Sequence, residues 1–156
     1  VYIKIGMNHE TEYFDENYVH DINHNDLMRK GSDIVVFVTG SILDEAMKAC
    51  ELLEQDGLSA KVINVTTLKP YNKQVLFDEI ANYRHIAVVE EHNIHGGLAS
   101  IIAETIAFEG LGAKILPIGL NDKFAEGYGT QQMVRRANAL DAQNIYLRLK
   151  EACKSE

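Results

Sequence analysis

Ile34-Val35-Val36-Phe37-Val38, followed by Thr39-Gly40-Ser41, is the stretch that decides the fold. Five consecutive β-branched or aromatic residues with no polar alternation read as a strand buried on both faces, which is the signature of a parallel sheet covered by helices on each side. Past the glycine, Ser41 has the chemistry of a helix N-cap and Asp44-Glu45 place acids in the first turn. Apolar residues then recur at Ile42, Leu43, Ala46, Met47, Cys50 and Leu53 with helical spacing until Gly57 interrupts them. Cys50 falls on that stripe with no basic residue beside it in sequence, so it reads as a small buried side chain rather than a nucleophile.

The strand-helix unit repeats downstream. Ala60 to Val65 is a second strand, Pro70 marks a turn, and Lys73 to Asn82 has helical periodicity through Val75, Leu76, Glu79 and Ile80. His85 to Glu90 is a third strand; Leu98, Ile101, Ile102, Thr105 and Ile106 then form a helical stripe closed by Gly110 and Gly112. Lys114 to Ile118 is a fourth strand, with Pro117 favouring an edge or a strand end. Thr130 caps a short helix to about Ala137, and Asp141 caps a final amphipathic one through Ile145, Leu147, Leu149 and Ala152. This alternation predicts a three-layer, doubly wound α/β sheet, mostly parallel, of about five strands. The fifth, antiparallel at an edge, is expected at Tyr18–Ile22.

Of the 156 residues, 15 are Lys or Arg and 23 are Asp or Glu, giving a net charge of −8 with no basic stripe, so nucleic acid is an unexpected partner. No apolar run approaches the ~20 residues a membrane span needs, and two cysteines make no disulfide framework, which points to a reducing compartment. Residues 8–30 carry six acids against two bases and read as an acidic connector. His20 and His24 within it have metal-ligand spacing, but Asp21-Ile22-Asn23 does not favour a helix and no third ligand joins them. Val1 in place of Met, running into the strand-like Tyr2-Ile3-Lys4-Ile5, suggests a piece of a longer protein.

Ligands of open α/β sheets bind beyond the carboxyl ends of the strands. Thr39-Gly40-Ser41 is too short for a phosphate cradle, and Thr66 to Pro70 reads as turn chemistry. The distinctive loop is Glu90-Glu91-His92-Asn93-Ile94-His95-Gly96-Gly97, placed before a helix N-terminus. Two carboxylates there oppose a diphosphate unless a metal bridges them, and Glu91, His92 and His95 could in principle supply one. The paired glycines more simply allow a sharp turn, and the glutamates can receive helix N–H groups or a neighbouring chain's cation. Gly119 to Thr130, with Asp122, Lys123, Phe124 and Glu126, is long enough to be functional but holds no nucleophile–base pair. No catalytic, cofactor-binding or metal residue is expected. The candidate interface or structural residues are Glu90, Glu91, His92, Gly96, Gly97, Asp122 and Phe124.

Asp33 to Ser41, Ala60 to Val65 with Leu68-Lys69-Pro70, Val88 to Leu98, and Gly119 to Phe124 with Gly129-Thr130 together resemble the C-terminal domain of the transketolase family. The resemblance implies a domain over 31–156, residues 1–7 ending a preceding pyrimidine-binding domain, and 8–30 linking the two. It implies a cytoplasmic enzyme that uses thiamine diphosphate and Mg2+ to move two-carbon units between sugars. Neither the metal-binding G-D-G…N motif nor the pyrimidine domain's catalytic glutamate is in this chain, so the domain alone should bind no cofactor and should support assembly, as a homodimer or with an N-terminal subunit. The same domain occurs in 1-deoxyxylulose-5-phosphate synthase and the β subunit of 2-oxoacid dehydrogenases, and an independent flavodoxin-like ligand-binding module is the reading from another class. Two departures stand out: Met7 lies near the place of a phosphate-binding arginine, and Ala139 where a Gly-Leu pair is frequent.

Overall fold

The computed structural model describes residues 11–154. The expectations for residues 1–7, including Met7, therefore lie outside the described residues. The expected architecture is present: one five-stranded sheet, β1 (Asp26–Arg29), β2 (Ile34–Thr39), β3 (Ala60–Asn64), β4 (His85–Asn93) and β5 (Lys114–Leu120), in the order β1-β3-β2-β4-β5. All neighbours are parallel except the β1–β3 pair at one edge. Helices α1 (Leu43–Gln55) and α5 (Ala142–Lys154) cover one face, α2 (Lys73–Ile80) and α3 (Leu98–Phe108) the other, and the short α4 (Gln131–Ala137) precedes α5.

The strand that decided the fold shows why both faces need cover. Ile34, Val36 and Val38 enter the core beneath α1 and α5, whereas Val35 and Phe37 enter the one beneath α2 and α3, all fully buried. That period of two converts one apolar run into the shared wall of two cores. Close strand packing also requires Gly31, where a Cβ would lie 2.2 Å from the Ala60 carbonyl carbon.

Four local expectations are corrected. The antiparallel strand is Asp26–Arg29, not Tyr18–Ile22. Met28 packs against the α1/α5 core and Asn64 donates to Asp26, while Val19 and Ile22 are 85% and 61% exposed, so nothing apolar holds the earlier segment to the sheet. Next, α1 begins at Leu43 with Ile42 in the cap position, and Ser41 makes no capping bond because its hydroxyl is engaged elsewhere. Finally, β4 runs on to Asn93, and α2 stops at Ile80 instead of Asn82. Thr130 and Asp141 cap their helices as expected, accepting from Met133 N and from Gln143 N and Asn144 N.

Candidate functional site

The strand order turns back between β2 and β4: the chain leaves β2 for β3 on one side, then returns past it to β4 on the other. Such a switch point opens a crevice at the carboxyl ends, where Thr39 is in register with Glu90. Here the protein's own side chains fill that crevice. Ser41 Oγ donates to Glu91 Oε2 at 2.8 Å, and Arg135 of α4 donates from Nε to Glu91 Oε1 at 2.6 Å and from Nη2 to Ser41 Oγ at 3.1 Å. Gln131, one turn before Arg135, donates to the same hydroxyl at 3.0 Å. Arg135 is buried in this arrangement, a cost that its carboxylate partner offsets. Burial of Glu91 alone would raise its carboxyl; the Arg135 charge and the donated hydrogen bonds outweigh it and hold the group below the ordinary glutamate value.

Glu90 has a different task from its neighbour. Only 2% exposed, it turns into the α2/α3 side and accepts from Leu98 N at 2.9 Å and Ala99 N at 3.0 Å. The N-terminus of α3 thus carries a resident carboxylate in the position an anionic ligand would take. Gly97 makes this contact possible, since a Cβ there would lie 2.1 Å from Glu90 Oε2. Gly96 has φ +80°, the left-handed turn that brings the chain into α3.

Between Val89 and Asn93 the β4–β5 register shifts, so Glu90, Glu91 and His92 form an irregularity at the strand end. Gly119 accommodates it: a Cβ there would lie 2.7 Å from the His92 carbonyl oxygen. Asn93 donates to Asp122 at 3.1 Å, tying this loop to the next. Residues 121–130 are exposed throughout, Phe124 at 97% and Tyr128 at 92%. Yet the loop is pinned: Lys123 pairs with Glu126, and Asn138 bonds both the N–H and the carbonyl of Glu126.

Of the predicted residues, the structure brings Glu90, Gly96 and Gly97 together at the α3 N-terminus, and Asp122 against Asn93. Glu91 joins Ser41, and Phe124 points to no neighbour that would bury it. His92 and His95 stay exposed, and among the described residues no three His, Cys, Asp or Glu side chains converge as a metal site. Sequence reasoning missed Arg135 and Gln131. The available signal was their i, i+4 spacing behind the Thr130 cap, which places both on one face of α4. A diphosphate does not fit at this crevice, because the Leu98 and Ala99 N–H groups are taken by Glu90 and the nearest guanidinium by Glu91. Among the described residues no helix is long and apolar enough to cross a membrane.

Fold and site together define a doubly wound α/β domain whose ligand crevice is closed by internal polar contacts. Residues 24–145 match the family model of the transketolase C-terminal domain, and the chain belongs to that family. A protein of Methanocaldococcus jannaschii named as a transketolase C-terminal section is 31% identical over 159 residues, covering 100% of this chain and 49% of that protein. A 1-deoxy-D-xylulose-5-phosphate synthase of Syntrophotalea carbinolica is 39% identical over 124 residues, 80% of this chain and 19% of the synthase. One of the subunits of the apulose-4-phosphate transketolase of Actinobacillus succinogenes is 30% identical over 145 residues, 93% of this chain and 47% of that relative. Among solved structures, a split-gene transketolase described as an inactive β4 tetramer superposes with TM-score 0.83 at 25% identity, over 92% of this chain and 46% of that one. The chain thus spans about half the length of its transketolase relatives and a fifth of the synthase.

Proposed function

We propose that this chain is the C-terminal part of a cytoplasmic, thiamine diphosphate- and Mg2+-dependent transketolase that transfers two-carbon ketol units between sugars. Its own task is assembly: it supports the domains that hold the cofactor and binds none itself. The observation that carries this reading is the filled switch point, where Glu90 occupies the α3 N-terminus and Arg135 is committed to Glu91 and Ser41. Side chains spent on internal contacts stiffen a surface, and the pinned loop beside it presents Phe124 and Tyr128 uncovered. Glu91, His92, Asp122 and Phe124 are then the edge that meets the cofactor-bearing domains, as a continuation of one chain or as a separate N-terminal subunit, within a homodimer of the whole.

Calorimetry tests this. Titration of the chain with thiamine diphosphate and Mg2+ is expected to give no saturable heat, whereas the chain mixed with the cofactor-bearing half is expected to bind and to turn over a ketose donor. Micromolar, Mg2+-dependent cofactor binding by the chain alone would refute the reading. The 39% identity to the Syntrophotalea synthase favours a second reading in the same family. Formation of 1-deoxy-D-xylulose 5-phosphate by the reconstituted protein, in place of ketol transfer, would select it.

A further inference from the structure

β5 lies at one edge of the sheet, and the bonds at its two ends fix the direction of its backbone groups. Lys114 N donates to the Arg84 carbonyl and the Leu120 carbonyl accepts from Ile94 N, so both residues turn their backbone toward β4. By alternation Leu116 and Ile118 do the same, whereas Ile115 and Pro117 turn theirs outward. Among the described residues no strand lies on that outer side. Ile118 and Gly119 are buried, so the open part of the edge ends at Pro117. Proline is tolerated in the middle of this seven-residue strand because the N–H it lacks would face away from the ladder. Its carbonyl is occupied: Arg148 reaches across from α5 and donates to it from Nη2 at 2.7 Å.

We infer that Pro117 and Arg148 together close this edge against strand pairing with a second copy of the chain. An exposed edge is a template for another strand, and identical chains pair about a two-fold axis. An antiparallel pairing centred on Leu116 would set Ile115 opposite residue 117 of the copy as a hydrogen-bonded pair, each donating to the other's carbonyl. Pro117 has no N–H to give, and Arg148 holds the carbonyl that would receive from Ile115. Both bonds of each such pair are thereby removed, and the guanidinium stands where the incoming backbone would lie. Ile115, Leu116 and Ile118 flank the proline with uncharged, β-prone side chains, which is the composition that makes an open edge adhesive. The opposite edge gives the contrast. β1 has only four residues, its register with β3 is irregular between Leu27 and Arg29, and Arg29 is paired with Glu54, so it is blunted without a proline. The closure of β5 acts whichever reaction the whole protein performs, and it leaves assembly to other surfaces.

Amide hydrogen exchange followed by NMR, in dilute chain and at about 1 mM, reads the edge residue by residue. In the wild-type chain, exchange at Ile115 should not depend on concentration. In the double variant Pro117→Val with Arg148→Ala, exchange at Ile115 and at position 117 should slow about tenfold or more in the concentrated sample, as new ladder bonds form. Sedimentation of the same samples should show the variant associating. Pro117→Val alone leaves the Arg148 side chain in place, so it should show the same slowing to a smaller degree, and it covers the case in which Arg148→Ala fails to fold. Exchange at Ile115 and position 117 that stays independent of concentration in the variants would overturn the assignment. So would association that protects other amides and leaves these two exchanging as in dilute chain.

Discussion

The carboxylate of Glu90 stands where Gly97 lacks a side chain: a Cβ at Gly97 would lie 2.1 Å from Glu90 Oε2. The glycine and the glutamate are thus one device, an acid from the end of β4 reaching across eight residues to cap α3. Gly97→Ala must expel the carboxylate or shift the helix. The loss of two buried, charge-assisted hydrogen bonds should cost about 2–4 kcal/mol, lowering Tm by about 5–15 °C. Glu90→Gln should fall between wild type and Gly97→Ala, because an amide keeps one acceptor oxygen of the two. Wild-type thermal stability in Gly97→Ala would remove this account of the loop.

Ala139 has φ +56°, in the left-handed region where a Cβ is strained. It joins α4 to α5. Ala139→Gly should therefore stabilise the chain by about 0.5–1 kcal/mol, although glycine in most positions destabilises. Chemical denaturation reads the sign directly, and a lower midpoint at unchanged slope would contradict it.

The Glu91–Arg135–Ser41 cluster predicts a feature of acid unfolding. Glu91 is held below the ordinary glutamate value, so its contribution is complete above the unfolded-state pKa and is lost as pH falls through the lower folded value. Glu91→Gln should flatten the stability profile below about pH 4.5, near the unfolded glutamate value, and leave its slope at neutral pH unchanged. Stability against pH, measured by urea denaturation between about pH 3 and 7, checks this; identical acid limbs would exclude the cluster.

Phe124 and Tyr128 are 97% and 92% exposed, so folding gains little from either ring. Phe124→Ser and Tyr128→Ser should change stability by less than about 0.5 kcal/mol. Under the proposed assembly role, the double variant should weaken association with the cofactor-bearing half by tenfold or more, about the effect expected of aromatic anchors. Sedimentation of the mixed halves reads the difference, and equal association would place the interface elsewhere.

Cys50 is fully buried between α1 and the sheet, and burial pushes its thiol up to about 12. Cys153 is half-buried, its thiol raised less far by the same cause. Iodoacetamide at about pH 8, near the free thiol's value, should modify Cys153 slowly and spare Cys50 until the chain unfolds. Mass spectrometry of the tryptic peptides would show the order, and early labelling of Cys50 would mean that the α1 layer opens.

The amino-acid sequence by itself determined the layers. The run Ile34–Val38, the helical stripes and the Thr130 and Asp141 caps act through neighbours within a few residues, and the sheet, the paired cores and the glutamates' capacity to cap a helix were all legible from them. Tertiary structure alone decided which residues close the crevice and which segment extends the sheet. Glu91 meets Arg135 across 44 positions and Ser41 across 50, so no local pattern records the cluster. The edge strand went to Asp26–Arg29 because Met28 finds the core there and Asn64 finds Asp26, whereas the more β-like Tyr18–Ile22 stacks Tyr18 on Phe14 and leaves Val19 and Ile22 exposed. Propensity ranks what a segment can form; the free energy of burial, available only once the sheet exists, selects what it does form.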